Sequence, residues 1–266
     1  MKIAVVTGAG KGLGREIAKG LSAKQFNVLA TDIDEDAARA TAELIGGGAW
    51  SMHQDVRDSS SHHEVAAAAA ERGTLALWVN NAGVLHTGHA WDHGDELVRQ
   101  MTEVNVLGMI WGARAAIAAM RDDGGHLINI ASLSSITPVP GLAVYGATKQ
   151  AVLGFTISLA GDIERAKLPI KVSAVCPDGI DTDMVSSQRG NQQAGLVFAT
   201  SKLLTVEEVA RVVLDLVDRP KLAVSVPRSR AVLAHAMRPF PEFSLKVLKP
   251  FLWFGERQRK KTNEES

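Results

Sequence analysis

The sequence predicts an α/β protein of the doubly wound kind: a seven-stranded parallel sheet between two layers of helices, a three-layer α/β/α arrangement. Three observations carry that expectation. Short β-branched, apolar runs alternate with longer helical patterns, which is how a parallel sheet with crossover helices reads. The first run ends in a glycine turn that opens a helix, Gly8-Ala-Gly-Lys-Gly-Leu-Gly14. Later runs end in small or polar residues (Asn80-Asn-Ala-Gly83, Ser132, Pro177-Asp-Gly179), as a cleft at the carboxyl ends of parallel strands requires.

The totals agree. At 266 residues and 46 % apolar content, the chain can bury one large core. Residues 1–227 read as a single dinucleotide-binding and catalytic domain, and 228–266 as an extension. A formal net charge of zero gives no overall pull toward nucleic acid. The lone cysteine, Cys176, excludes an internal disulfide and reads as an inert core thiol; no Cys/His cluster has zinc-ligand spacing, so no metal is expected. No run reaches the ~18 apolar residues of a membrane span. Met1-Lys2 leads straight into a strand without a charged leader, so a cytoplasmic location is expected.

In order, Lys2–Thr7 is a buried strand, and a helix follows from about Leu13 to Lys24. Strand, glycine turn and helix set free N–H groups where phosphates can sit. The spacing Gly8-x-x-x-Gly12-x-Gly14 lacks the Gly-Lys-Ser/Thr ending of a nucleoside-triphosphate loop, so it favours dinucleotide binding over phosphoryl transfer. Asn27–Thr31 is the second strand and ends at Asp32. A carboxylate there accepts from ribose hydroxyls and repels a 2′-phosphate, favouring NAD over NADP; Lys11, a cation in the turn, is the counter-argument. Ile33–Ile45 is a helix with Asp34 and Asp36 at its start.

Ala49–His53 is a short strand, followed by Asp55-Val56. Ser59 or Ser60 caps an alanine-rich helix to Arg72, with His62 and His63 expected on its solvated side. Leu75–Val79 is the fourth strand. The loop holding His86, His89 and His93 reads as a cleft border, because its spacing suits no metal. A helix spans Asp95–Met120 with Asn105 inside it.

His126–Ala131 is the fifth strand and delivers Ser132. Tyr145 and Lys149 follow, four apart at the start of a helix running to about Lys167, so they share one face. A phenol titrates near ~10. A neighbouring cation favours the phenolate, which fits it for moving a proton on a substrate oxygen that a serine hydroxyl holds. Ile170–Cys176, a helix capped by Thr205 with Glu208, and Leu222–Val226 complete the sheet; a polar stretch within about 183–204 reads as a lid.

The extension carries nine Lys/Arg against four Glu, with Phe240, Phe243, Phe251, Leu252, Trp253 and Phe254 interleaved with Lys246, Lys249, Arg257, Arg259, Lys260 and Lys261. Such a segment can lie on an anionic membrane. Packing on the cleft or on a neighbouring subunit is favoured, since Pro239, Pro241 and Pro250 interrupt a helix.

Taken together, Thr7-Gly-x-x-x-Gly-x-Gly14, Asp55, Asn80-Asn-Ala-Gly83, Asn105, Ser132 and Tyr145-x-x-x-Lys149 resemble the short-chain dehydrogenase/reductase family over about residues 1–226. The resemblance implies a Rossmann-like fold, a homo-tetramer or dimer and the following roles. Tyr145 would be the acid/base and Ser132 would orient the substrate oxygen. Lys149 would bind the nicotinamide ribose and lower the tyrosine pKa, and Asn105 would support a proton relay. Gly8, Lys11, Gly12, Leu13 and Gly14 would hold the pyrophosphate, and Asp32 the adenosine ribose. Asp55 and Val56 would meet the adenine, and Asn81, Ala82 and Gly83 its neighbouring edge. Pro177, Ile180 and Thr182 would meet the carboxamide. One departure is Asp178, where the family usually has glycine; Gly179 follows it. The implied activity is NAD(H)-dependent interconversion of a secondary alcohol and a ketone. Leu85, Trp91, Leu133, Val139, Pro140, Leu142, Met184 and Val185 suggest an apolar substrate, such as a lipid, steroid or terpenoid. The alternatives are an NADP-dependent carbonyl reductase and a non-catalytic NAD-binding regulator or scaffold.

Overall fold

The computed structural model describes residues 1–188, 191, 194 and 203–247. Its strands are β1 (Lys2–Thr7), β2 (Asn27–Asp32), β3 (Trp50–His53), β4 (Thr74–Asn80), β5 (Gly125–Ile130), β6 (Ile170–Pro177) and β7 (Ala223–Val226). All pair in parallel, in the order β3-β2-β1-β4-β5-β6-β7.

Period-two alternation sends each strand's side chains into two cores. Ala4, Val6, Val28, Ala30 and Val79 meet α1 (Gly12–Ala23) and α8 (Val206–Asp218), which follows the short α7 (Asp183–Ser186), through Ile17, Leu21, Val209 and Val213. Ile3, Val5, Leu29 and Leu127 face the other way, against α3 (Ser59–Arg72), α5 (Met109–Met120) and α6 (Ala143–Arg165). α2 (Glu35–Ile45) adds Ile45 to the first core. Both faces of the sheet are therefore covered, as expected for a parallel sheet.

Caps follow local chemistry. Asp34 accepts from the Ala37 N–H at the start of α2. Thr205 and Glu208 form the expected capping box before α8. The cap of α3 is Asp58, not Ser59 or Ser60: its carboxylate accepts from Ser60 N at 2.9 Å. The expected helix over Asp95–Met120 is interrupted. Between α4 (Asp95–Thr102) and α5 lies a wider π-helical segment, Glu103–Gly108, which carries Asn105.

The chain leaves β1 toward β2 and β3 and returns to β4 on the other side, so a crevice opens at the carboxyl ends of β1 and β4. A buried polar chain ties the floor of this crevice together. Asn80 donates to Asn129 Oδ1 at 2.9 Å and accepts from Trp78; Asn129 donates to Thr156 Oγ1 at 3.0 Å. β4, β5 and α6 are thereby locked in register, which fixes where α6 begins.

Beyond β7, α9 (Arg228–Met237) turns Ala231, Ala234 and Met237 inward, with Ala234 against Ala174, Cys176 and Met109. The extension's residues from Leu248 on, including Phe251 to Phe254 and Arg257 to Lys261, lie outside the described residues, as do 189–190, 192–193 and 195–202 of the expected lid. Among the described residues, no helix is long and apolar enough to cross a membrane.

Candidate active site

A cleft of about 480 Å³ occupies the crevice. Every residue expected to touch a dinucleotide lines it: the glycine turn with Lys11 and Leu13, Asp32, Asp55, Val56, Asn81 to Gly83, Tyr145, Lys149, Pro177, Ile180 and Thr182. Ser132 lines it as well.

The glycine turn is clamped from β4. Asn81 Nδ2 donates to the carbonyls of Thr7 and Gly8, and the N–H groups of Asn81 and Ala82 both donate to Thr7 Oγ1 at 3.1 Å. Gly8 has φ +63°, and a Cβ there would sit 2.8 Å from Ala82 Cα. A Cβ on Gly14 would meet Gly8 O at 2.1 Å. Neither position has room for a side chain, so the backbone of the turn stays open toward the cleft. Asp32 closes the far side. Its Oδ2 accepts from Gly10 N at 2.8 Å and its Oδ1 from Asp34 N at 3.1 Å.

At the opposite end, β5 delivers Ser132 in extended conformation, with Oγ accepting from Ser134 N at 3.2 Å. The first turn of α6 brings Tyr145, and Lys149 follows one turn on, its Nζ 5.8 Å from the tyrosine ring centre. Lys149 is buried and donates to Ile130 O at 2.9 Å. Burial lowers its pKa to about 8, with Cys176 opposing. Burial likewise pushes the Cys176 thiol up to about 11, keeping it unreactive.

The expected depression of the Tyr145 pKa is not found. Burial pushes it up to about 12, against the pull of the Ser132 hydroxyl. Desolvation penalises the phenolate more than the lysine, engaged by the Ile130 carbonyl, can offset.

Asn105 does not reach the cleft surface. It is buried one layer behind, where Oδ1 accepts from Val84 N at 2.8 Å and Nδ2 donates to Val84 O and Thr148 Oγ1. Thr148 in turn donates to Tyr145 O at 2.7 Å. The asparagine amide thus braces both the wall after Gly83 and the turn that presents Tyr145.

Other expectations need correction. His62 is not solvated. It is buried, with Nε2 donating to Val56 O at 2.9 Å and Nδ1 accepting from Gln54 at 3.1 Å, and burial lowers its pKa. It supports the Gln54–Val56 wall from behind. Trp91 does not line the cleft: it is 80 % exposed and stacks on His89 at 4.5 Å. Pro140 is not among the lining residues. Leu85, Leu133, Val139, Leu142, Met184 and Val185 do line it, and Leu85, Leu142 and Val185 form one apolar cluster with Val139 and Tyr145. His86 meets Gln100 and His89 stacks on Trp91, whereas both ring nitrogens of His93 are buried without a hydrogen-bond partner; no group able to hold a metal occurs among the described residues.

Sequence reasoning also missed lining residues. Arg57 pairs with Asp55 at 2.7 Å and holds that carboxyl below its ordinary range. The adjacency of the two charges was the available signal. Gln100 and Thr137 carried none. The departure at Asp178 is accommodated: its N–H donates to Val226 O, its Oδ1 accepts from Gly179 N, and its Oδ2 accepts from Arg230 of α9.

Comparison with known proteins follows the same lines. Residues 2–193 match the family described as short chain dehydrogenase. The chain is 35 % identical over 208 residues to 3-beta-hydroxysteroid dehydrogenase of Comamonas testosteroni, covering 78 % of this chain and 79 % of that one. It is 35 % identical over 206 residues to trans-4-hydroxycyclohexanecarboxylate dehydrogenase of Sinomonas cyclohexanicum, covering 73 % and 79 %. A short chain dehydrogenase/reductase from Burkholderia phymatum, solved in complex with NAD, superposes with a TM-score of 0.83 at 24 % identity, covering 91 % of this chain and 94 % of that one. This last likeness speaks to the fold.

Proposed function

This chain belongs to the short chain dehydrogenase family, and from that premise we propose that it interconverts an apolar secondary alcohol and its ketone with NAD(H). The observation that carries the reading is the convergence of Ser132, Tyr145 and Lys149 on one cleft whose other end is the clamped glycine turn.

The residues fit a dinucleotide. The turn leaves no room for side chains where a pyrophosphate would approach, and the start of α1 supplies free N–H groups there. Asp32, held by two backbone N–H groups, is set to accept from a ribose diol and to repel a 2′-phosphate. That favours NAD over NADP. When bound, the nicotinamide supplies the hydride acceptor or donor.

The protein's own groups handle the proton. Tyr145 Oη takes it from the alcohol oxygen or returns it to the ketone oxygen, and Ser132 Oγ holds that oxygen in line. Lys149 sets a positive charge beside the phenol and steadies the phenolate during transfer. Asn105 acts through Thr148 and Val84 by positioning, not by contact. The apolar wall of Leu85, Leu142 and Val185 excludes water and selects a hydrophobic body, in keeping with relatives named for ring-borne alcohols.

The test is isotopic. Secondary alcohols carrying deuterium on the carbinol carbon are offered with NAD to the full chain. Transfer of the label to the nicotinamide supports the reading. No transfer across steroid, cycloalkanol and aliphatic alcohols, with NAD bound, would replace it with a non-catalytic dinucleotide-binding role.

A further inference from the structure

We propose that α9 and the turn that follows it, within residues 228–247, form a docking surface for an anionic lipid bilayer. The observation is a cluster of exposed large apolar side chains: Val232 is 70 % exposed, Leu233 54 %, Phe240 62 %, Phe243 59 % and Leu245 46 %. Both exposed phenylalanines among the described residues stand here. Elsewhere among the described residues such side chains stand singly along the chain, and single exposed apolar residues need no partner. A contiguous set does.

The cluster is held outward by its own anchors. Ala231, Ala234 and Met237 are buried against the domain, which leaves Val232 and Leu233 on the opposite side of α9. Ser244 is buried, with Oγ donating to Met237 O at 2.8 Å and its N–H donating to Phe240 O. Phe240 and Phe243 therefore flank a pinned turn and cannot fold inward without breaking it.

Charge selects the occupant. Arg228, Arg238 and Lys246 are exposed along the same stretch, as is Glu242. Among the described residues 228–247, four cations (Arg228, Arg230, Arg238 and Lys246) stand against the one carboxylate of Glu242. A second copy presenting the same face would bring cation against cation, which disfavours self-pairing. An anionic bilayer accepts both features. Apolar side chains enter the acyl boundary, and lysine and arginine meet the headgroups. Each phenylalanine or leucine fully withdrawn from water strengthens partition by about ten-fold or more, and each cation near the surface by about five-fold. Arg230, paired with Asp178 in the cleft wall, sets this surface beside the cleft. An apolar alcohol dissolved in the bilayer would reach the cleft from that side, a consequence that rests on the proposed reaction; the binding does not.

The experiment is co-sedimentation of the full chain with vesicles of phosphatidylcholine alone and of phosphatidylcholine with phosphatidylglycerol, at low and high salt. Binding to the anionic vesicles that weakens in salt is expected. The doubly substituted Phe240→Ser, Phe243→Ser chain should lose at least ten-fold in partition, and Arg238→Glu with Lys246→Glu should remove most of the preference for anionic lipid. NAD affinity of each variant, unchanged, shows that the domain is intact. No vesicle binding by the unaltered chain, equal binding to neutral vesicles, or full binding by the phenylalanine variant would overturn the proposal. A dimer in sedimentation equilibrium that the phenylalanine variant splits, without vesicle binding, would assign the surface to a second copy instead.

Discussion

Arg230, in the first turn of α9, donates to the Asp178 carboxylate in the segment that follows β6. Asp178 is the residue that departs from the family's usual glycine, and its partner comes from beyond the seventh strand. The other carboxylate oxygen accepts from Gly179 N at 2.8 Å, so one side chain fixes both the turn and its distance from the extension. Ile180 and Thr182, which line the cleft, follow directly. Arg230→Ala should therefore raise the KM for NAD by roughly two- to five-fold while changing kcat less, as expected for a part-exposed pair. Arg230→Lys, which keeps a cation for the carboxylate and leaves its bond to Gly179 N intact, should lose less. Steady-state kinetics with varied NAD decides it, and an unchanged KM in the single variant would leave the pair without a role in the cleft.

Cofactor preference rests on Asp32. Its carboxylate is held by Gly10 N and Asp34 N. Asp32→Ala should weaken NAD binding and improve NADP binding, narrowing the ratio of the two affinities by at least about ten-fold. Titration calorimetry with each cofactor checks this. Equal affinity of the unaltered protein for NAD and NADP would contradict the assignment.

Tyr145 is the only tyrosine in the chain, so phenolate absorbance in the near ultraviolet reads this one group. In the cofactor-free protein the absorbance should stay low through the ordinary phenol range and rise toward pH 12, because burial holds the proton on. A transition at or below the ordinary value of ~10 would show that Lys149 outweighs burial without help.

Acid should weaken the fold through His126. The ring is buried; Ser173 Oγ donates to Lys221 O, so His126 Nε2 donates to Ser173 Oγ and Nδ1 is left as a bare acceptor. Burial lowers its pKa to about 4. An unfolded histidine binds a proton near pH ~6.5 and the folded one does not, so stability is full above ~6.5 and falls as pH drops toward 4, by ~3 kcal/mol from this residue. His62, lowered by burial too, acts in the same direction. Urea unfolding at neutral and acid pH measures the slope. His126→Gln should flatten it, and an unchanged slope in that variant would exclude the residue.

Much of this was readable from local pattern. Strand β1 has the expected bounds, and the others lie within a residue or two, because buried parallel strands announce themselves as apolar runs between turn residues. The cleft residues sit at strand ends and at the start of α6, positions that spacing alone defines. What failed was whatever depended on distant segments. His62 looked solvated because its alanine-rich helix has little amphipathic contrast, and its partners, Gln54 and Val56, precede that helix at the edge of the sheet. Trp91 found His89 instead of the cleft. The interruption at Asn105 left no mark in composition. The tyrosine pKa was misread because charge proximity is visible in a Tyr-x-x-x-Lys spacing, whereas the depth of the phenol and the carbonyl that engages the lysine are not.

The central claim is that Tyr145 moves the proton while hydride passes between substrate carbon and nicotinamide. The direct measurement is turnover of Tyr145→Phe with any secondary alcohol the unaltered protein oxidises, NAD binding being verified in parallel. Removing the hydroxyl should lower kcat by about 10²–10⁴-fold with cofactor affinity retained. A Tyr145→Phe protein that oxidises the same alcohol at an undiminished rate would contradict the account.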